Sequence, residues 1–198
     1  MKAYYAKQDA EKLSGKGDTS QKLTLMKTSA DSLKKSADAL NDSSLWEKKK
    51  IKKKDEKTGE EIEVEDYDWD KITKAVKSFV EDYNDVVKEA GESNTKDVLR
   101  NASWMTGMTD KNSNMLAKIG ITIGKGNKLE LDEDALKQAD ISSLKTVFTG
   151  YNSFVSKISQ KATCISNAAN RASATYTNNG TYSKTDSSLT SSKIDKEV

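Results

Sequence analysis

Apolar positions in this chain recur in a four-three rhythm over three long stretches and in a two-residue rhythm over two short ones. Met26, Ala30, Leu33, Ala37 and Leu40 are spaced four, three, four and three. That is a heptad seam, and it predicts a helix beginning near Ser20. A second seam runs through Trp69, Ile72, Val76, Phe79, Tyr83 and Val86, starting at Asp68 or its neighbours and ending at Gly91. The third is the longest: Leu144, Phe148, Tyr151, Val155, Ile158, Ala162, Ile165, Ala169 and Ala172, with Gly150 as the place where it could divide. Its large residues give way to alanines toward the end, which predicts close helix packing or a thinner partner there. Between the last two seams, Val98, Leu99, Ala102, Met105 and Met108 predict a further helix, capped by Asn94 and irregular at Gly107.

The two-residue rhythm is clearest between Met115 and Ala139. Leu116 and Ile119 close an apolar helical face, and Gly120 supplies the left-handed residue that helices favour at their C-terminus. Ile121 and Ile123 then alternate with Thr122, Gly124-Lys125-Gly126-Asn127 reads as a turn, and Leu129 and Leu131 alternate around Glu130. Asp132 caps a new helix, with Glu133 and Asp134 in its first turn, where the helix dipole favours negative charge.

This order of helix, Ile-rich strand, Gly/Asn turn, Leu-rich strand and Asp-capped helix resembles the C-terminal region of the flagellar filament cap protein family, also called hook-associated protein 2. The residues that carry the resemblance are Leu116, Ile119, Gly120, Ile121, Ile123, Gly126, Leu129, Leu131, Asp132, Glu133 and Leu136. Upstream, Ser78-Phe79-Val80-Glu81-Asp82-Tyr83-Asn84 is similar to the segment that precedes the hairpin in that family. Together these patches span Trp69 to Tyr151, under half of the chain. The resemblance implies a structural protein that assembles with its own kind and with flagellin, and that leaves the cell through the flagellum's own export channel.

A second hairpin is predicted from charge. Lys48 to Lys50 and Lys52 to Lys54 would read alone as a nucleic-acid patch, but acidic residues follow. If the chain folds back across Glu56-Lys57-Thr58-Gly59, Lys50 faces Glu65, Lys52 faces Glu63, Lys54 faces Glu61 and Ile51 faces Val64. Each opposite-charge pair across two strands contributes about 0.2–1 kcal/mol, and the acidic strand cancels the field that phosphates would need. In this reading Trp46 and Trp69 face each other at the ribbon's base and clamp it to the helices.

Composition narrows the function. Of 198 residues, 34% are hydrophobic and 32% charged, which suits an elongated helical protein burying stripes. With 33 basic and 31 acidic side chains, the net charge of +2 gives no overall pull toward nucleic acid or anionic lipid. The chain contains no histidine, so the commonest general base and metal ligand is missing. Proline is absent and cysteine occurs once, at Cys164, which is read as a small inert residue at the edge of the third seam. No apolar run reaches the length of a signal peptide's core or a membrane span.

Candidate chemistry fails residue by residue. Asp110-Lys111-Asn112-Ser113-Asn114 opens like a calcium loop, but Met115 stands where glycine is required and Ile121 where a bidentate glutamate is required. Gly124-Lys125-Gly126 lacks the third glycine of a phosphate loop. Capping accounts for Asp132, Glu133 and Asp134. No catalytic, cofactor or metal residue is therefore assigned, and no cofactor is expected.

The resulting expectation is a mainly α-helical, elongated antiparallel bundle or coiled coil with two small β-hairpins near residues 46–69 and 121–131. It occupies residues 19–174, between a flexible N-terminus at 1–18 and a disordered polar tail at 175–198. The seams could satisfy one another within one chain or pair between chains, with Phe79, Tyr83, Phe148, Tyr151, Val155 and Ile158 as packing or partner positions. The expected function is a non-enzymatic, protein-binding component of the filament cap, with flagellin or itself as partner; the alternative is an intracellular helical scaffold. Its location is extracellular and flagellum-associated if the resemblance holds, and otherwise cytoplasmic.

Overall fold

The first two heptad seams each become one helix and the third becomes two, and the chain between them is short enough to fold these helices back on one another. A computed structural model describes residues 17–54 and 61–175. Helix α1 (Ser20–Asn41) leads through a 3-10 turn (Ser43–Trp46) into strands β1 (Lys49–Lys54) and β2 (Glu61–Asp66). Helices α2 (Trp69–Gly91), α3 (Lys96–Lys111) and α4 (Ser113–Ala117) follow, then strands β3 (Ile121–Ile123) and β4 (Leu129–Leu131). The chain finishes with α5 (Glu133–Gln138), α6 (Ile141–Phe148) and α7 (Phe154–Thr175). It is thus mainly helical, with two separate two-stranded antiparallel sheets.

Helix starts are set by small polar side chains that accept the unpaired N–H groups of a first turn. Thr19 accepts from Lys22 N, Asp68 from Lys71 N, Asp132 from Asp134 N and Ala135 N, and Asp140 from Ser143 N. The Asp140 cap divides α5 from α6, a boundary the apolar spacing does not show.

Helix α1 lies between α2 and α7, and its seam residues Met26, Ala30, Leu33, Ala37 and Leu40 are all buried. Two serines of α7 fix the register against α1. Ser159 Oγ donates to Asp38 and Ser166 Oγ to Asp31, each at 2.6 Å, so the helices run antiparallel with a pair of bonds one heptad apart. Helix α3 joins as a fourth long helix, packed along α7, where Lys161 Nζ lies 3.4 Å from Asn101 Oδ1 and Arg171 lies 3.6 Å from Asp97. The expectation of three mutually satisfied seams therefore omitted one member. The α3 apolar face supplies Val98, Ala102 and Met105 to the same core.

Several expectations need correction. Trp46 does not face Trp69. Its ring stacks on Phe148 with centroids 5.4 Å apart, and its Nε1 donates to Leu40 O at 2.8 Å, while Trp69 meets Tyr67 edge-on. The 3-10 turn explains this, because it drives Trp46 into the core before the ribbon starts. Tyr151 is not a seam residue but is 82% exposed. Gly150, at φ +97°, interrupts the helix before Tyr151, but the predicted positions resume in phase at Val155, Ile158, Ala162, Ile165 and Ala169, all buried, and Phe154 adds a buried ring edge-on against Phe79. Helix α3 runs unbroken through Gly107, since the cost of one interior glycine, about 1 kcal/mol, is met by the packed neighbours Met105 and Thr109. Asn94 is not a helix cap: Thr95 holds that position and its side chain makes no cap bond. Cys164 is exposed, one position off the buried Ile165.

The charged ribbon pairs as predicted, with Lys50 opposite Glu65, Ile51 opposite Val64, Lys52 opposite Glu63 and Lys54 opposite Glu61. Its turn, Glu56 to Gly59, lies outside the described residues. So do residues 1–16 of the expected flexible N-terminus and residues 176–198 of the expected tail. Asp18, the last residue of that N-terminal segment, is buried.

Candidate functional site

The two sequence patches that carry the family resemblance meet in space. Asn84 on α2 grips the second strand of the small hairpin by both faces of one residue: its Nδ2 donates to Leu129 O at 2.9 Å, and Leu129 N donates to its Oδ1 at 2.7 Å. The side-chain amide thus acts as one more peptide unit beside β4. Hairpin register follows the alternation, with Ile121 opposite Leu131, Thr122 opposite Glu130 and Ile123 opposite Leu129. Leu116, Ile119, Ile121 and Leu129 are buried, and Ile123 and Leu131 are partly buried against the same core.

Gly120 sits at the centre of the joint with φ +79°. Asp132 N donates to Gly120 O at 2.8 Å, which ties the exit of the hairpin to its entry. The turn opposite uses left-handed residues at Gly126 and Asn127, with φ +71° and +61°. Asp132 is occupied as a helix cap, and Glu133 lies 3.3 Å from Lys77 of α2. Beside Asn84, Tyr83 is fully buried and its hydroxyl donates to Thr109 Oγ1 at 2.9 Å. Burial pushes its phenol up to about 12, against the smaller opposite pull of the Thr109 bond, so it remains a neutral donor at physiological pH. Phe79 lies beside it with ring centroids 6.3 Å apart, Phe148, Val155 and Ile158 are buried in the same core, and Tyr151 stands apart in solvent.

What this arrangement does is position backbone: Asn84, Gly120 and Asp132 fix the hairpin between the helices. Among the described residues, no group of three or more His, Cys, Asp or Glu side chains could hold a metal ion. No described helix is long and apolar enough to cross a membrane. What the joint builds is a fixed surface. A groove of about 400 Å³ runs between the end of α2 and the face of α3, with Gly126 and Asn127 of the hairpin turn also lining it.

A family model described as flagellar hook-associated protein 2 C-terminus matches residues 93–197, more than half of the 198-residue chain. The chain belongs to this family. No curated protein and no solved structure matches it. The hook-associated protein 2 match opens at Ser93, just before α3, and takes in the whole hairpin joint and α7. Helix α2, with Asn84, lies upstream of it, so the clamp on β4 comes from outside the matched span.

Sequence reasoning missed what ties these parts together: the Asn84 clamp, the Asp18 anchor and the Ser–Asp bonds between α1 and α7. Only the last left a usable trace, since Asp31 and Asp38, and Ser159 and Ser166, are each one heptad apart.

Asn84→Ala is expected to destabilise the protein by about 2 kcal/mol, from two lost hydrogen bonds and a Leu129 peptide left without partners. Urea unfolding gives the size, and amide exchange should show residues 121–131 opening faster than α1. Tyr83→Phe should cost about 1 kcal/mol, because Thr109 loses a donor but keeps its bond to Met105 O. A thermal melt indistinguishable from wild type would show that the phenol bond adds nothing.

Proposed function

We propose that this chain is a non-enzymatic structural component of the bacterial flagellar filament cap, exported without a cleaved signal and bound to flagellin or to further copies of itself. The match over residues 93–197 carries this reading. The hairpin joint supports it, since Gly120, Asp132 and Asn84 lock a small surface feature rigidly between long helices, as a component that binds by shape requires. Heptad seams buried mainly within one chain leave the outer faces of the helices, rather than the seams, for assembly with partners.

The test is fractionation of motile bacteria carrying the tagged full chain. The protein is expected intact in culture supernatant or in sheared filament preparations, and loss of the export apparatus should return it to the cell. Purely cytoplasmic recovery from motile cells would sink the proposal.

A further inference from the structure

The β1–β2 ribbon packs chiefly on itself, and its link to the bundle is the base, where Lys48 lies over Tyr67 and Tyr67 meets Trp69. A lone two-stranded ribbon is marginally stable in water, and it has two open edges, each a row of backbone donors and acceptors able to pair with another strand. Proteins commonly protect such edges with charge. Here the two edges carry opposite charge. Strand β1 reads Lys-Lys-Ile-Lys-Lys-Lys and β2 reads Glu-Ile-Glu-Val-Glu-Asp. One face of the ribbon is the Lys–Glu ladder. The other carries Ile51 and Val64, half-buried, and Ile62, which is 41% exposed.

We propose that the ribbon is a self-association element, in which the acidic β2 edge of one copy receives the basic β1 edge of a second copy as a third strand. In the register already used within the ribbon, the incoming lysines meet Glu63 and Glu65, and the incoming Ile51 continues the row of Val64 and Ile62. Pairing β1 with β1, or β2 with β2, would set like charges opposite one another, which is unfavourable. The charge pattern thus excludes a two-fold dimer through this ribbon and selects head-to-tail contact, the type that closes into rings or grows as open arrays. The occupant is a second copy of this chain because its own β1 matches its own β2 in both sign and spacing. This names a surface for the self-binding that the proposed role includes and rests on that reading only there; it is tested on purified protein and the role by fractionation, so either can fail without the other.

Sedimentation velocity on the full chain is expected to show reversible association that weakens about tenfold or more between roughly 50 and 500 mM salt, as an interface of exposed ion pairs requires. Lys50→Glu with Lys52→Glu puts acid at the ladder positions that would meet Glu65 and Glu63, and Glu63→Lys with Glu65→Lys puts base at those that would meet Lys52 and Lys50. Each variant alone should lose association, and an equimolar mixture of the two should restore it. Combining all four substitutions keeps the internal ladder, with the signs of the 50–65 and 52–63 pairs reversed, so that variant should associate as wild type does. Far-ultraviolet circular dichroism checks that the helices persist throughout. A wild-type chain that stays monomeric at low salt would overturn the proposal. So would paired variants that associate like wild type, which would put the contact elsewhere, or a mixture that stays monomeric.

Discussion

Gly120→Ala is expected to lower stability by about 3–5 kcal/mol, more than most single substitutions in the chain. Two costs add. The backbone at φ +79° is one that L side chains avoid, worth about 1–2 kcal/mol. An added Cβ would also lie 2.6 Å from Asp132 O and 2.9 Å from Leu136 N. Both are backbone atoms that cannot swing aside, because Asp132 N is bonded to Gly120 O and Leu136 N to Asp132 O. Relief would require moving the start of α5 away from the hairpin, breaking the bond that closes the joint. Gly107→Ala is the contrast. A Cβ there meets nothing within 4 Å, and the residue sits in a regular helix, so stability should rise by about 0.5–1 kcal/mol. Chemical denaturation of the two variants beside wild type measures both. A Gly120→Ala loss under about 1 kcal/mol would mean that the joint is loose and that the closeness to Asp132 carries no energetic weight.

How far the fold is legible in the sequence depends on how local each cause is. The α1 and α2 seams are legible because heptad spacing and helix burial are the same fact, and every predicted α1 position is buried. The ribbon register is legible because alternating lysines and glutamates have one arrangement that pairs opposite signs. Gly120 and Asp132 are legible because turn and cap chemistry act within a few residues. Tyr151 misled because its four-three spacing was counted through Gly150, where the helix stops and this one position turns into solvent before the rhythm resumes at Val155. Trp46 misled because symmetry in sequence about a turn says nothing of a 3-10 turn that inserts the ring into the core instead. The Asn84 clamp spans 45 residues and leaves no periodic signal, whereas the Ser159–Asp38 bond spans 121 and shows only in the heptad spacing it shares with Ser166 and Asp31. In the candidate site, motif residues could be named from sequence, but the contact that joins them came only from tertiary structure.

The same distance hides the anchor at Asp18, and its removal is the second large effect expected. Its carboxylate, 6% exposed as a residue, accepts from Ser93 Oγ at 2.7 Å, from Asn94 N, from Thr95 N at 3.0 Å and from Thr95 Oγ1 at 2.7 Å. Thr95 begins α3 without a cap bond of its own, so Asp18 does from the other end of the chain what a local cap would do. Asp18→Ala should cost about 3–4 kcal/mol, since it strands a group of donors that a charged acceptor now satisfies. Asp18→Asn keeps an acceptor oxygen but loses the charge, and should cost less. Burial pushes the Asp18 carboxyl up, yet the Ser93 and Thr95 hydroxyls, the Asn94 N–H and the Lys22 ammonium together outweigh it and hold it below the usual carboxylate range. A group depressed in the folded state stabilises above its unfolded pKa and loses that contribution as pH falls through the folded one. Asp31 and Asp38 are depressed too, held down by Lys27 and Ser166, and by Lys34 and Ser159, against their partial burial, so acid weakens wild type for several reasons at once. The difference between wild type and Asp18→Asn isolates the anchor. It should stay constant above about pH 5 and shrink below about pH 4, as Asp18 takes up its proton in wild type. Urea midpoints for both proteins across that range decide it, and a gap that persists unchanged to the lowest pH would show that the Asp18 charge plays no part in holding the start of α3.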